Sequence, residues 1–183
     1  QSDPISLFIY DLESLQQHAQ KLIENLPPRI SLYYAIKANS ETDILNTLAP
    51  LVDGFEISSG GEIAKIQQCK YKKPFVFSGP GKLDSDLNTA IANDVEFIHV
   101  ESLNEIKKIN QIAATQNKQQ DILIRINPHL PSHLLTKLSM AGTATPFGID
   151  EQDLHLAIAL VEECPHLRLC GFHVHAMSHQ TQV

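Results

Sequence analysis

The sequence predicts an α/β protein built on a parallel sheet. Strand-like and helix-like segments alternate along most of the 183 residues, and such alternation implies parallel strands with helices packed outside them. Two architectures fit this pattern, an open doubly wound sheet and a (β/α)8 barrel. The first strand is not followed by Gly-x-Gly-x-x-Gly, which disfavours a dinucleotide-binding half. In either architecture the function lies at the carboxyl ends of the strands.

The predicted strands are short apolar runs rich in aromatic and β-branched residues. In chain order they cover residues 7–10, 31–36, 52–57, 75–77, 97–100, 121–126 and 167–175. The predicted helices cover 12–25, 40–48, 60–68, 84–93, 102–115 and 150–163. Asp11 is a candidate N-cap, and Ser59 with Glu62 and Ser102 with Glu105 have capping-box spacing. Residues 127–148 form a long loop, which in a compact domain is usually functional or poorly ordered.

Composition places the chain among ordinary globular proteins. Apolar residues make up 43% and charged residues 19%, and the formal net charge is -7. A mildly acidic chain without basic runs argues against nucleic acid or an anionic membrane as the main partner. The sequence has no apolar segment near the length of a membrane span. Cys69, Cys164 and Cys170 have no metal-like spacing, so we expect reduced thiols in a cytoplasmic protein.

A lysine ends one of the buried strands. In Tyr33-Tyr34-Ala35-Ile36-Lys37-Ala38-Asn39, alternation would place Tyr33, Ala35 and Lys37 on one face. An uncompensated ammonium is costly there, so Lys37 should be paired, or neutral and reactive. A reactive lysine at a strand end suits a Schiff base with an aldehyde cofactor. On this segment alone, a lysine that extends to the surface is the alternative.

Charged residues on neighbouring strands are candidate partners of Lys37. Glu56 ends the next strand and could balance the charge of a protonated imine. Arg125 lies on the opposite face from three isoleucines, and it could pair with Glu56 or hold a cofactor oxygen. A purely structural ion pair at the mouth of the sheet is the alternative.

The last strand carries His173 and His175, which share a face. From the residues alone a packing role ranks first, a metal pair second, and stacking on a flat cofactor ring third. The Ser78-Gly79-Pro80-Gly81-Lys82 segment is a strand-to-helix turn rather than a P-loop. Ser178 could donate to a phosphate oxygen or be a solvated loop serine.

Seven segments, in order, resemble the fold-type III pyridoxal-phosphate decarboxylases. That family includes ornithine, arginine and diaminopimelate decarboxylases, with alanine racemase as a more distant relative. The segments are Tyr34-Ala35-Ile36-Lys37-Ala38-Asn39, Glu56-Ile57-Ser58-Ser59-Gly60-Gly61-Glu62, Ser78-Gly79-Pro80-Gly81-Lys82, Val100-Glu101-Ser102, Ile124-Arg125-Ile126-Asn127-Pro128, Phe147-Gly148-Ile149-Asp150 and Gly171-Phe172-His173-Val174-His175. The resemblance implies an alanine-racemase-like (β/α)8 barrel, incomplete in this chain, with about six barrel strands.

The resemblance also implies a cofactor and site residues. Lys37 would carry pyridoxal 5'-phosphate as an internal aldimine, and His175 would stack on its ring. Ser178 would lie near the phosphate, and Arg125 and Glu56 would lie in or beside the cofactor pocket. The implied reaction is decarboxylation of an amino acid or an amino-acid-derived substrate, with the protonated ring as electron sink. No metal ion is part of this interpretation.

The resemblance further implies that the chain is about the N-terminal half of such an enzyme. Residues 1–12 would be the leading strand of a C-terminal β-domain, and residues 13–183 a partial cofactor-binding barrel. The complete protein would be a homodimer with a shared active site. Glu56 replaces the frequent aspartate, Pro146 a common lysine, and Met177 the usual glycine before the serine. Segments 138–142 and 175–179 look closer to the siderophore-biosynthesis branch, whose substrate is a citrate–diamine conjugate.

Three alternative functions follow from the same residues. A racemase on the same cofactor is disfavoured because Ser40-Glu41 follows Asn39, where racemases have Tyr-Gly. A non-enzymatic pyridoxal-phosphate-binding barrel is disfavoured by the leading strand, which bare barrels lack. A metal-dependent barrel hydrolase using His173 and His175 would leave Lys37 without a role.

Overall fold

A computed structural model of the chain describes residues 6–130, 142 and 144–175. These residues form a parallel sheet of seven strands, and an α-helix separates successive strands except β5 and β6, between which the described residues contain none. The strands are β1 (Tyr33–Ala35), β2 (Gly54–Ile57), β3 (Phe75–Phe77), β4 (Phe97–Val100), β5 (Gln120–Asn127), β6 (Ile149–Asp150) and β7 (Leu167–Val174). The helices are α1 (Leu12–Glu24), α2 (Thr42–Leu48), α3 (Gly60–Gln67), α4 (Asp84–Ala92), α5 (Leu103–Thr115) and α6 (Leu154–Glu162).

Each strand from β1 to β5 pairs in parallel with the next strand of the chain. The short strand β6 pairs only with the end of β5, where Ile126 faces Ile149. Strand β7 pairs along nearly the whole of β5, from Gln120 opposite Leu167 to Ile126 opposite Val174. Within the described residues β1 and β7 do not pair with each other, so the curved sheet stays open at both edges.

The hydrophobic core lies between the sheet and the helices. Fully buried side chains of the strands, such as Phe55, Ile98 and Ile122, pack in one cluster with Leu87 and Ile109 of the helices. Burying one such side chain contributes about 1.5–3 kcal/mol. From β2 to β5 the outer face of the strands is therefore occupied by packing, and the inner face and the strand ends remain for chemistry.

Two capping predictions are confirmed, and the second places a helix directly after a strand. The Asp11 carboxylate accepts a hydrogen bond from the Ser14 amide at 3.0 Å, which begins α1. The Ser102 hydroxyl accepts from the Glu105 amide at 3.2 Å, which begins α5 just beyond β4. At α3 the Ser59 side chain makes no capping bond, although the Glu62 carboxylate accepts from the Ser58 amide.

The first two predicted strands differ from the structure. Residues 6–11 adopt neither helix nor strand, and the side chains of Phe8 and Ile9 are exposed. An apolar run needs a neighbouring strand to form a ladder, and none lies beside it in the described part of the chain. The predicted strand 31–36 is formed only over Tyr33–Ala35, and a 3₁₀ turn follows at Ile36–Ala38.

Lys37 therefore lies in a turn and not on the strand face that alternation predicted. The Tyr34 hydroxyl donates to the Asn39 carbonyl at 3.1 Å, and the Asn39 side chain accepts from the Glu41 amide at 3.0 Å. These side-chain contacts compete with extension of the strand.

No helix in the described residues has the length and apolar character needed to cross a membrane.

Candidate active site

A cavity of about 340 Å³ opens at the carboxyl ends of the strands. It is lined by Lys37, Glu56, Ser58, Ser78, Gly79, Pro80, Gly81, Arg125, Phe147, His173 and His175. Four of the five predicted site residues therefore come together around one cavity. The fifth, Ser178, lies outside the described residues, so its role near a phosphate stays a prediction.

Lys37 and Glu56 face each other at the wall of this cavity. The Lys37 amine lies 3.7 Å from the Glu56 carboxylate, and the lysine side chain is 56% exposed against 22% for the glutamate. The Ser78 hydroxyl donates a hydrogen bond to the same carboxylate oxygen of Glu56. Glu56 is thus held from β3 while it faces the amine, which leaves Lys37 open to a carbonyl compound that enters the cavity.

Arg125 pairs with Glu101 and not with Glu56, so that part of the prediction is wrong. Its Nη1 donates to both carboxylate oxygens of Glu101, at 3.1 and 3.0 Å, and both side chains are buried. Glu101 follows β4, the strand next to β5, whereas Glu56 lies on β2, two strands further from Arg125 than Glu101. The pairing order of the strands brings the nearer carboxylate into contact.

Glu101 also anchors two loops at the cavity mouth. It accepts hydrogen bonds from the Gly79 amide at 2.8 Å and from the Gly148 amide at 3.3 Å. The Arg125 guanidinium lies 4.8 Å from the centre of the Phe147 ring, a cation–π contact. Sequence reasoning did not assign Glu101 a role, although its position directly after a buried strand was a usable signal.

Two histidines, one on β4 and one on β7, lie against each other at the cavity. The rings of His99 and His173 lie 4.3 Å apart with an angle of 43° between them. The Nδ1 atoms of both are buried and have no hydrogen-bond partner in the described part of the chain. Burial, with the neighbouring charges, lowers the pKa of His99 to about 3 and that of His173 to about 4. Both imidazoles are therefore neutral near neutral pH.

His175 follows β7 and lines the cavity with His173. Burial lowers the pKa of His175, and the positive charges of Arg125 and Lys37 lower it further. A neutral, flat ring at the cavity wall can cover one face of another flat ring.

The described residues contain no group of three or more His, Cys, Asp or Glu side chains that could hold a metal ion.

Lys82 ends the glycine-rich turn after β3 and has a structural position. Its side chain is fully buried. Its amine donates to the carbonyls of Gly79 and His99 at 2.6 and 2.7 Å and to the Glu105 carboxylate at 2.9 Å. Burial lowers the Lys82 pKa, and the negative charge of Glu105 opposes that effect. The three acceptors leave Lys82 aimed away from the cavity, as expected for a strand-to-helix turn.

Comparisons with known proteins identify relatives along nearly the whole chain. A decarboxylase of Staphylococcus aureus, named 2-[(L-alanin-3-ylcarbamoyl)methyl]-2-hydroxybutanedioate decarboxylase, is 43% identical over 178 residues, which are 97% of this chain and 44% of that protein. Diaminopimelate decarboxylase of Bacteroides thetaiotaomicron is 29% identical over 171 residues, 92% of this chain and 44% of that protein. The chain thus spans less than half the length of these relatives.

A solved structure has the same fold. The crystal structure of diaminopimelate decarboxylase from Helicobacter pylori, complexed with L-lysine, superimposes with a TM-score of 0.82 at 31% identity. The match covers 92% of this chain and 43% of that one. The predicted fold class, an incomplete alanine-racemase-like parallel α/β barrel, is confirmed.

The family model that matches this chain is described as "Pyridoxal-dependent decarboxylase, pyridoxal binding domain", and the match covers residues 12–183. It confirms the predicted cofactor, pyridoxal phosphate, for the family. The chain belongs to the pyridoxal-dependent decarboxylases.

Proposed function

We propose that the protein containing this chain is a pyridoxal-phosphate-dependent decarboxylase that acts on an amino acid or an amino-acid-derived substrate. The observation that carries this proposal is the accessible amine of Lys37 at the wall of the cavity, 3.7 Å from a carboxylate that Ser78 holds in place. A primary amine in that setting is suited to anchor an aldehyde cofactor covalently.

The residues around the cavity fit this cofactor. A volume of about 340 Å³ lies in the range of small-ligand sites. Glu56 can balance positive charge at the lysine nitrogen, and His175 offers a flat neutral ring to cover an aromatic ring. When bound, pyridoxal phosphate supplies an electron sink for the electron pair left by departing carbon dioxide. Arg125 contacting the cofactor and Ser178 near its phosphate complete the proposed set.

The anchor is tested on the complete protein by its visible absorbance. We expect a visible band in the unmodified protein and its loss in Lys37→Ala, because that variant has no amine at the cavity wall. Lys107→Ala is the control, since Lys107 is an exposed lysine of α5. Borohydride reduction followed by peptide mapping should place the cofactor on Lys37. An unchanged band in Lys37→Ala would remove the proposal.

We propose a citrate–diamine conjugate as the substrate class, as in the siderophore-biosynthesis branch, in which the diamine part is an amino acid whose carboxylate leaves as carbon dioxide. The support is the identity of 43% with the S. aureus enzyme, against 29% with the B. thetaiotaomicron diaminopimelate decarboxylase. The name of the S. aureus enzyme describes an amino acid joined through an amide to a hydroxybutanedioate. Carbon dioxide release from such an amide should exceed release from meso-diaminopimelate. The reverse order would contradict the substrate class and leave the cofactor assignment intact.

We further propose that the complete protein is a cytoplasmic homodimer with a shared active site, and that residues 1–12 supply the leading strand of a separate C-terminal β-domain. The exposed apolar side chains of residues 7–10 support the last point, because they are available to a strand from elsewhere. The three cysteines are unpaired, in keeping with a reducing compartment. Sedimentation equilibrium tests the dimer, and a fully active monomer would contradict it.

A further inference from the structure

We propose that Glu101 is a positioning residue of the cofactor site, which fixes Arg125 and keeps Glu56 available to Lys37. The inference rests on the proposed cofactor site. Glu101 itself does not line the cavity, so it acts through the groups that it holds.

The contacts of Glu101 join three separate parts of the cavity mouth. One carboxylate oxygen accepts from the Gly79 amide at 2.8 Å, the other from the Gly148 amide at 3.3 Å, and both accept from Arg125. Its side chain is only 2% exposed. A single buried carboxylate thus connects the turn after β3, the strand β5 and the segment before β6.

The segment before β6 lies so close to β5 that position 148 requires glycine. Gly148 has φ +82°, and a Cβ there would lie 3.0 Å from the Arg125 carbonyl oxygen and the Asn127 amide nitrogen. Only glycine allows the backbone to lie this close to β5 without strain. Because of this approach the Gly148 amide reaches Glu101, and Phe147 comes to lie against the Arg125 guanidinium.

Charge pairing explains why the position of Glu101 matters for Lys37. Of the described residues that line the cavity, Glu56 is the only acid, and Lys37 and Arg125 are the two cations. Glu101 neutralises Arg125 from outside the cavity. Without Glu101 the guanidinium would be a buried charge without its carboxylate, and Glu56 would be the nearest cavity carboxylate for both cations. Removal of Glu101 should therefore change the surroundings of the lysine amine.

The test is a double-variant cycle on the complete protein, with cofactor affinity of the apo-protein measured by fluorescence titration. Glu101→Gln should weaken pyridoxal-phosphate binding roughly tenfold or more, the range for loss of a hydrogen bond to a charged group. It should also shift the pH midpoint of the visible band. In an Arg125→Met background, Glu101→Gln should add less than about twofold, because Glu101 acts through Arg125.

Asp121→Asn is the matched control, since Asp121 forms an ion pair with Arg168 at the opposite end of β5. It should change neither the affinity nor the pH midpoint. If Glu101→Gln does not fold, Glu101→Asp keeps the charge and should give an intermediate loss of affinity with the pH midpoint retained.

Two results would overturn the inference. One is affinity losses that simply add in the double variant, which would indicate a structural role independent of Arg125. The other is an unchanged affinity and pH midpoint in a folded Glu101→Gln protein. Neither result bears on the anchor, because loss of the visible band in Lys37→Ala is measured separately.

Discussion

His99 and His173 place two neutral imidazoles against each other where water does not reach their Nδ1 atoms. A charged imidazole in that position would lose its hydration without gaining a carboxylate partner. The folded chain therefore binds protons at these two sites only at pH values far below the usual titration range of histidine. The unfolded chain binds these protons more readily than the folded chain, so the free energy of unfolding decreases in acid.

The sign of that dependence follows from the pKa values. The pKa of His99 is about 3 in the folded chain and 6.5 in an unperturbed histidine. Below pH 6.5 the unfolded chain takes up a proton that the folded chain does not, so the free energy of unfolding falls by about 1.4 kcal/mol per pH unit. The loss continues until the pH approaches the folded-state value. Above pH 6.5 this histidine contributes no pH dependence.

We expect His99→Leu to reduce this acid sensitivity. The variant keeps a similar side-chain volume, removes the titrating ring and leaves no unpaired buried nitrogen at position 99. When the pH is lowered from 6.5 to 4.5, the urea concentration at the midpoint of unfolding should fall less for this variant than for the unmodified protein. His155→Leu, at an exposed position of α6, is the control and should keep the full dependence. Equal pH slopes for both variants would contradict the assignment.

The turn after β3 contains one residue that lines the cavity and one that has a structural role. Gly79 belongs to the cavity wall, while Lys82, three residues later, is buried beneath it. The amine of Lys82 donates to the Gly79 carbonyl within the turn. It also donates to His99 of β4 and Glu105 of α5, which connects the turn to both elements. The amine of Lys82 thus fixes the turn, and the Gly79 amide donates to Glu101.

Lys82→Met should destabilise the protein by about 3–5 kcal/mol, because it leaves Glu105 as a buried charge without its partner. Lys108→Met is the control, since Lys108 forms an ion pair with the largely exposed Asp84. Such a surface pair is worth about 1 kcal/mol or less. Chemical denaturation of both variants measures the difference. Equal losses of unfolding free energy in the two variants would show that the buried Lys82–Glu105 pair contributes no more than a surface pair.

At this scale the sequence predicted the existence of elements better than their ends. Asp11 and Ser102 marked helix starts correctly, because capping is a local side-chain contact. The turn that contains Lys37 was missed, because it depends on contacts that Tyr34 and Asn39 make after the chain has bent. The strand Ile149–Asp150 was also missed, since two residues show no periodicity.

For the whole molecule, the order of the strands decided which site contacts could be predicted. Lys37 follows β1 and Glu56 lies near the end of the neighbouring strand β2, and the sequence predicts their contact. The pairing of Arg125 with Glu101 was not expected, because any of several strand-end acids could have been its partner. Sheet order is a long-range property, which alternation within single strands does not contain.

The two open edges of the sheet also carry a consequence for solution behaviour. On β7 the side chains of Phe172 and Val174 are 50% and 58% exposed, beside an unpaired strand edge in the described part of the chain. Exposed apolar edge strands promote self-association. Residues 1–183 produced alone should therefore form larger species as concentration rises.

Sedimentation velocity measures this effect. The double change Phe172→Glu and Val174→Lys should shift the isolated chain toward monomer, because it places charges on the open strand. Leu156→Glu, at a single exposed apolar residue of α6, should have little effect. A monomeric isolated chain at high concentration would show that the edge is harmless.

The pairing of each strand from β2 to β5 with the strand before it allows the sheet to form in order during translation. Strand β2 finds β1 already made, and β3, β4 and β5 in turn find their partners on the newest edge. The sheet can thus grow in the direction of synthesis, and Lys37 and Glu56 leave the ribosome before Arg125 and His175. A ribosome that pauses after β5 would hold a nascent chain that contains Lys37 and Glu56 but lacks the cavity wall that His173 and His175 form.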